Sequence, residues 1–117
     1  MGKGDKGYNI GTPEAGFFVS TLADASTMSL VIGRDNEMVK IDEMAQAGTL
    51  NLAIGGDIEI GARLYLKCIS DSSSGRHITL GTATDTSTIS GTTSKTKWAY
   101  LVYDGSVYNL ISVYQIN

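Results

Sequence analysis

Alternation of apolar and polar residues predicts short strands along most of the chain. Across residues 58–68 every second residue is apolar or small, while Glu59, Arg63 and Lys67 fall at the positions between them. Side chains of a strand point alternately to its two faces, so this segment is predicted as one half-buried strand, bent at Gly61. Similar runs predict further strands at residues 17–22, 28–32, 49–54, 76–80, 87–90, 98–103 and 106–114.

Residues 37–47 fit two interpretations. Their composition suits a helix, and Gly48 is a plausible residue to end one. The first five residues also alternate in polarity as a strand would. We favour a strand over residues 37–41, followed by an irregular or helical turn.

The last two predicted strands form a hairpin around Asp104-Gly105, because this dipeptide is the usual sequence of a tight type I′ turn. A two-residue turn pairs Tyr103 with Ser106. One face of the hairpin then carries Trp98, Tyr100, Val102, Val107, Asn109, Ile111 and Val113. The other face carries Ala99, Leu101, Tyr103, Ser106, Tyr108, Leu110, Ser112 and Tyr114. Both faces are largely apolar, so the hairpin is expected to be covered on both sides.

Composition supports an all-β fold. The chain has 14 glycines and one proline among 117 residues, and strong helix formers are sparse. We predict a two-sheet antiparallel sandwich or jelly-roll-like barrel over residues 17–117, preceded by a Gly-rich N-terminal arm at residues 1–16. The arm either pairs with an edge of the chain's own sheet or docks on a neighbouring subunit, and we favour the second.

Charge and reactive residues exclude several classes of function. The net charge is −3 with a pI of about 4.9, and no basic stripe points to nucleic acid. No apolar run approaches the length of about 18 residues that a membrane span needs. His77 and Cys68 are the only residues of their types, so no catalytic set or zinc site is apparent. We predict a protein that is not an enzyme and that has no metal or cofactor, with Cys68 in the core.

Aromatic residues of the hairpin allow two kinds of binding. Trp98 and Tyr100 share one face, and aromatic rings on a β-sandwich are able to stack on sugars, so a glycan site is one alternative. The opposite face is more aliphatic and suits a protein interface better. The residues expected to mediate association there are Leu101, Tyr103, Tyr108, Leu110 and Tyr114.

Three segments carry a resemblance to a known class of proteins: Gly75-Arg-His-Ile-Thr-Leu-Gly81, Ile89-Ser-Gly-Thr-Thr-Ser-Lys-Thr-Lys97 and Tyr100-Leu-Val-Tyr-Asp-Gly-Ser-Val-Tyr108. In this order they resemble the C-terminal halves of small β-sandwich structural proteins of tailed bacteriophages, including head-fibre, capsid-decoration and fibre-tip modules. The resemblance covers roughly residues 50–113. It implies a non-enzymatic virion component that is commonly a trimer.

The resemblance and the hairpin together give one expectation. The chain is expected to be a capsid-decoration, auxiliary or head-fibre protein, assembled into the virion in the host cytoplasm as a homo-oligomer, with a trimer favoured. Its arm, around Lys3, Lys6 and Tyr8, is expected to dock on the major capsid protein or another virion protein. The alternative is a glycan-binding or receptor-binding module of a phage fibre, in which Trp98 and Tyr100 stack on the sugar.

Overall fold

The computed structural model describes residues 17–116, which form nine strands and no helix. The strands are β1 (Phe18–Leu22), β2 (Thr27–Ile32), β3 (Asn36–Ile41), β4 (Gly48–Ile54), β5 (Arg63–Ile69), β6 (Ile78–Leu80), β7 (Thr88–Ile89), β8 (Thr96–Tyr103) and β9 (Tyr108–Gln115). They make two sheets around a shared apolar core. The predicted all-β, two-sheet fold is confirmed. The predicted arm at residues 1–16 lies outside the described residues.

The chain crosses from one sheet to the other after each of the first five strands. Sheet A has the order β1-β3-β5-β8-β9, and sheet B has the order β2-β4-β6-β7. Each strand of this first half therefore returns beside the strand two elements earlier. The chain thus winds around the core, and we call each pair of one sheet A strand and the sheet B strand that follows it a coil.

Stacking of these coils makes the early strand pairs parallel. Phe18 lies beside Glu37, and Glu37 lies beside Leu64, with the same arrangement in sheet B. Antiparallel pairing appears at β5–β8, β6–β7 and β8–β9. The expectation of wholly antiparallel sheets is therefore wrong. Alternating polarity specifies the buried face of a strand, but parallel and antiparallel strands share that period, so it does not specify direction.

Alternate side chains of each strand fill the space between the sheets. Leu50 and Leu52 of β4 face Leu64, Leu66 and Cys68 of β5 across the core, and all five are buried. Full burial of one leucine contributes about 1.5–3 kcal/mol to stability. The predicted core position of Cys68 is confirmed.

The predicted strand at residues 58–68 is shorter than its alternation suggests. β5 begins only at Arg63, and Ile60 is 78% exposed rather than inward. Gly61 has a φ of 95°, which a regular strand does not contain. Asp35 holds the preceding loop, since its carboxylate accepts a hydrogen bond from the Glu59 N–H at 3.0 Å. The loop thus interrupts the strand at the glycine.

Residues 37–47 take the strand interpretation. β3 is followed by a turn in which Met44 makes a single bridge to Ser70. At the start of β3, Glu37 is buried. Its carboxylate accepts hydrogen bonds from the N–H groups of Gly33 and Arg34. This carboxylate therefore stabilises the turn between β2 and β3.

The closing hairpin forms, but its turn is longer than predicted. Tyr103 pairs with Tyr108 rather than with Ser106, so residues 104–107 make the turn. The Asp104 carboxylate accepts hydrogen bonds from the N–H groups of Ser106 and Val107 at 2.8 and 2.9 Å. A side chain that caps two amides stabilises this wider turn, and the Asp-Gly dipeptide alone does not distinguish it from a two-residue turn.

Candidate interaction surface

One face of the hairpin lies in the protein's own core. Leu101 and Tyr108 are fully buried, and Tyr103 is 8% exposed. The rings of Tyr103 and Tyr108 pack with their centroids 5.1 Å apart. All three residues belong to the apolar cluster between the sheets. The expectation that they form an outward, subunit-binding face is therefore wrong, because sheet B already covers them.

A β-bulge separates the other two hairpin residues expected at an interface. Leu110 pairs with Leu101 and packs, half-buried, against the core. The register shifts by one residue between Tyr100 and Leu101, so Tyr114 pairs with Trp98 on the opposite face of sheet A. One extra residue reverses the faces of all residues beyond it. Tyr114 is 52% exposed, at the surface as expected but on the other side of the sheet.

Aromatic rings cross the outer face of sheet A. Tyr65 of β5 stacks on its cross-strand neighbour Tyr100, with centroids 4.8 Å apart and planes 23° from parallel. The ring of Phe17 lies against Tyr65 at 5.4 Å, and the Arg63 guanidinium sits 5.1 Å from the Phe17 centroid. The sequence does not single out Tyr65. The only signal for it is its position in the outward series of β5, with Arg63 and Lys67.

The two residues considered for sugar stacking, Trp98 and Tyr100, both lie on this outer face and are half-buried. One ring face of Tyr100 is taken by Tyr65. A sugar stacks on a free ring face, so Tyr100 has less ring surface for sugar stacking than its position on the outer face suggests. Trp98 lies between Lys67 on β5 and Tyr114 on β9 in the register.

β9 forms one border of sheet A, and only its first part is covered. The N–H of Tyr108 donates to the Ala83 carbonyl at 2.9 Å, and the N–H of Leu110 donates to the Asp85 carboxylate at 2.9 Å. Beyond Leu110, no strand in the described part of the chain lies on the outer side of β9. We call residues 111–116 the open edge.

Side chains of the open edge are apolar on both faces of the sheet. Ile111, Val113, Tyr114 and Ile116 are 57%, 36%, 52% and 50% exposed, and no residue from 105 to 116 carries a charge. Edge strands of soluble proteins usually carry charged residues, prolines or covering loops that prevent pairing with another chain. Residues 111–116 contain no charged residue and no proline, and among the described residues no strand pairs with their outer side, so the open edge is suited to accept a further strand.

Asp85 defines where the covered part of β9 ends. Burial opposes ionisation of this carboxyl, but hydrogen bonds from the N–H groups of Leu110 and Ser87 outweigh it and lower the pKa. A carboxyl whose pKa is lower in the folded state adds stability above its unfolded pKa, and this stability is lost as the pH falls. The contact between the 83–85 segment and β9 is therefore intact at neutral pH.

The Tyr108 hydroxyl is buried and makes no hydrogen bond to any described residue. Burial, together with the Glu37 carboxylate, raises the pKa of Tyr108 from 10.0 to about 12. A buried polar group without a partner costs about 1–3 kcal/mol. We therefore expect Tyr108→Phe to increase the free energy of unfolding by about 1 kcal/mol in urea denaturation.

Tyr103→Phe is the matched control for this substitution, because the Tyr103 hydroxyl is not a buried group that lacks a hydrogen-bond partner. Its effect should stay within about 0.5 kcal/mol. A pKa raised by folding means that stability is complete below pH 10 and declines as the pH rises towards 12. The advantage of Tyr108→Phe should therefore widen above pH 10. A less stable Tyr108→Phe protein would contradict the unpaired hydroxyl.

The surroundings of Cys68 and His77 suit a structural role for both residues. Cys68 is buried, and desolvation raises the pKa of its thiol to about 12. The His77 Nδ1 atom accepts a hydrogen bond from the Gly91 N–H at 3.0 Å. Within residues 17–116, no three His, Cys, Asp or Glu side chains are grouped as metal ligands would be. No helix suited to crossing a membrane occurs in that part of the chain.

The predicted docking residues of the arm, Lys3, Lys6 and Tyr8, lie outside the described residues. The surface that remains as a candidate site is therefore the open edge, which includes Tyr114, together with Trp98 beside it. Comparison with protein-family models gives no match for the chain, and comparison with curated proteins gives none either.

Proposed function

We propose that this chain is a non-enzymatic structural protein of a phage-type virion, of the capsid-decoration or head-fibre kind, which works through contacts between subunits. The observation that carries the proposal is the open edge at residues 111–116. The resemblance of residues 50–113 to β-sandwich proteins of phage virions is the basis for proposing that the structure it belongs to is a virion. Location in the virion and docking of the N-terminal arm on a capsid protein belong to the same proposal.

The open edge supports subunit contact for two reasons. A border strand presents outward backbone N–H and C=O groups to which a further strand is able to bond. Its apolar side chains, with Trp98 beside them, also provide area that gains free energy when water is excluded. A strand with such groups on both faces is stabilised more by a partner than by solvent. The open edge therefore provides one contact between two subunits.

The glycan alternative has less support. Tyr65 and Tyr100 stack on each other, so each has one ring face occupied by the other. Flat stacking on a sugar would rest mainly on Trp98 and its neighbour Tyr114. Tyr114 is part of the open edge and Trp98 lies beside it, so a second subunit would cover both.

Sedimentation velocity at micromolar concentration tests the proposal. The wild-type chain is expected to sediment as an oligomer, and Ile111→Lys is expected to shift it to the monomer by placing a charge in the open edge. Ile60→Lys is the matched control, since Ile60 is also an exposed isoleucine but lies in the loop before β5. It should leave the oligomer intact. A wild-type chain that stays monomeric would overturn self-association.

A further inference from the structure

We infer that the partner of the open edge is the open edge of a second copy of this chain, paired antiparallel about a two-fold axis near Val113. This inference rests on the proposed function, from which it takes self-association. It goes further by naming the strand, the direction and the central residue of the contact.

Backbone geometry identifies the residues that face outward. The N–H of Ile116 donates to the Thr96 carbonyl on β8 at 3.1 Å, and Tyr114 and Ser112 occupy equivalent positions in the same register. In an antiparallel ladder, successive residues direct their N–H and C=O groups to opposite sides. Val113 therefore directs its backbone groups away from β8, towards the space that a partner strand would occupy.

Length and direction of the opening favour a copy of the same strand. The 83–85 segment blocks the edge as far as Leu110, so a partner has only the last part of β9 to pair with. An antiparallel copy centred on Val113 places the short, open part of each strand against that of the other. The two covering segments then lie at opposite ends of the pair, where they do not meet.

Charge and side-chain polarity also fit self-pairing. A two-fold axis brings identical residues together, so any charge at the centre would repel its own copy. The open edge carries no charge, and Val113 would meet the partner's Val113 while Ser112 would lie opposite the partner's Tyr114. The other border of sheet A is β1, which is five residues long, against eight for β9, and has the Arg34 guanidinium 4.0 Å from the Phe18 ring.

A disulfide at the axis is the direct test. Residues that exchange both hydrogen bonds across an antiparallel pair have Cα atoms about 5.5 Å apart, within the range that a disulfide spans. Val113→Cys should therefore convert mostly to a covalent dimer in a glutathione redox buffer, as seen on a non-reducing gel. Cys68 is buried and is expected to remain reduced. Ile60→Cys serves as the control for random collision and should form little dimer.

Proline substitution tests the same contact without cysteine chemistry. Val113→Pro removes an outward N–H, so it should dissociate the oligomer in sedimentation while the monomer stays folded. Ser112→Pro removes an N–H directed to β8, so it should instead lower the midpoint of urea unfolding.

The possible failures are distinguishable. If the wild-type chain sediments as an oligomer but Val113→Cys crosslinks no better than Ile60→Cys, the two-fold contact is overturned and self-association stands. If Val113→Pro leaves the oligomer unchanged, the two-fold contact is overturned as well. A monomeric wild-type chain would overturn both the contact and the proposed function.

Discussion

Replacing Leu101 by alanine is expected to lower the free energy of unfolding by about 3 kcal/mol. Leu101 lies in β8 with no exposed surface, and its cross-strand neighbours are Leu64 on one side and Leu110 on the other. Removal of the side chain forfeits its transfer from water and leaves a cavity that two packed sheets fill only in part. Domains of this size have a net stability of about 5–15 kcal/mol, so the loss would be a large fraction of the total.

Leu110→Ala is the matched control, because Leu110 is the same residue type in the same hairpin but is half-buried. Its cost should be smaller, about 1 kcal/mol. Urea denaturation at two protein concentrations separates folding from association, since a core defect lowers stability equally at both. If Leu101→Ala left the unfolding midpoint unchanged but dissociated the oligomer, Leu101 would face a partner rather than the core.

Strand positions were predictable because burial imposes a visible period on the sequence. Residues 49–54 alternate as expected, and β4 occupies Gly48–Ile54 with Leu50 and Leu52 inward. The prediction was wrong at residues 58–62, where the alternation continues into a loop. Glycine at 61 adopts a left-handed φ there, and no neighbouring residue signals that the strand has ended.

Strand pairing was not predictable in the same way. Glu37 lies between Phe18 and Leu64 in sheet A, and these three residues come from distant parts of the chain. Their association depends on the chain crossing between the sheets after each of the first five strands. Loops of different length connect the coils, so no fixed repeat appears in the sequence that would indicate stacking.

The candidate surface was predictable only in part. The apolar character of both hairpin faces is visible in the sequence, and β9 of this hairpin carries the open edge. The inward face could not be chosen, because Trp98 and Tyr100 are as apolar as Leu101 and Tyr103. The bulge beside Tyr100 then moved Tyr114 to the outer face, and an extra residue of this kind leaves no pattern in a single sequence.

The second large effect is expected where the backbone of Gly91 packs closely against the backbone of Arg76, in the segment before β6. We call this close approach the crossing. A side-chain carbon added at Gly91 would lie well within 3.0 Å of the carbonyl oxygen and the amide nitrogen of Arg76. Those are backbone atoms, so a rotamer change cannot relieve the overlap. We expect Gly91→Ala to lower the free energy of unfolding by about 2 kcal/mol, as overpacking of a rigid site does.

Gly33→Ala is the matched control, since a carbon added at Gly33 meets no atom within 4 Å and its φ is not left-handed. Its effect should stay within about 0.5 kcal/mol, which separates overlap from the general flexibility of glycine. Urea unfolding of the two variants is the measurement, and equal midpoints would show that the crossing opens without cost.

The crossing also affects the hairpin, because the chain runs from Gly91 directly towards β8. Gly91 donates its N–H to His77, and Ser90 accepts a hydrogen bond from the Lys97 ammonium at 3.1 Å. Displacement of residues 90–91 therefore moves the start of the strand that supports β9. Gly91→Ala should weaken crosslinking by Val113→Cys as well as stability, whereas Gly33→Ala should change neither. Unchanged crosslinking in a destabilised Gly91→Ala protein would show that the crossing stabilises sheet B alone.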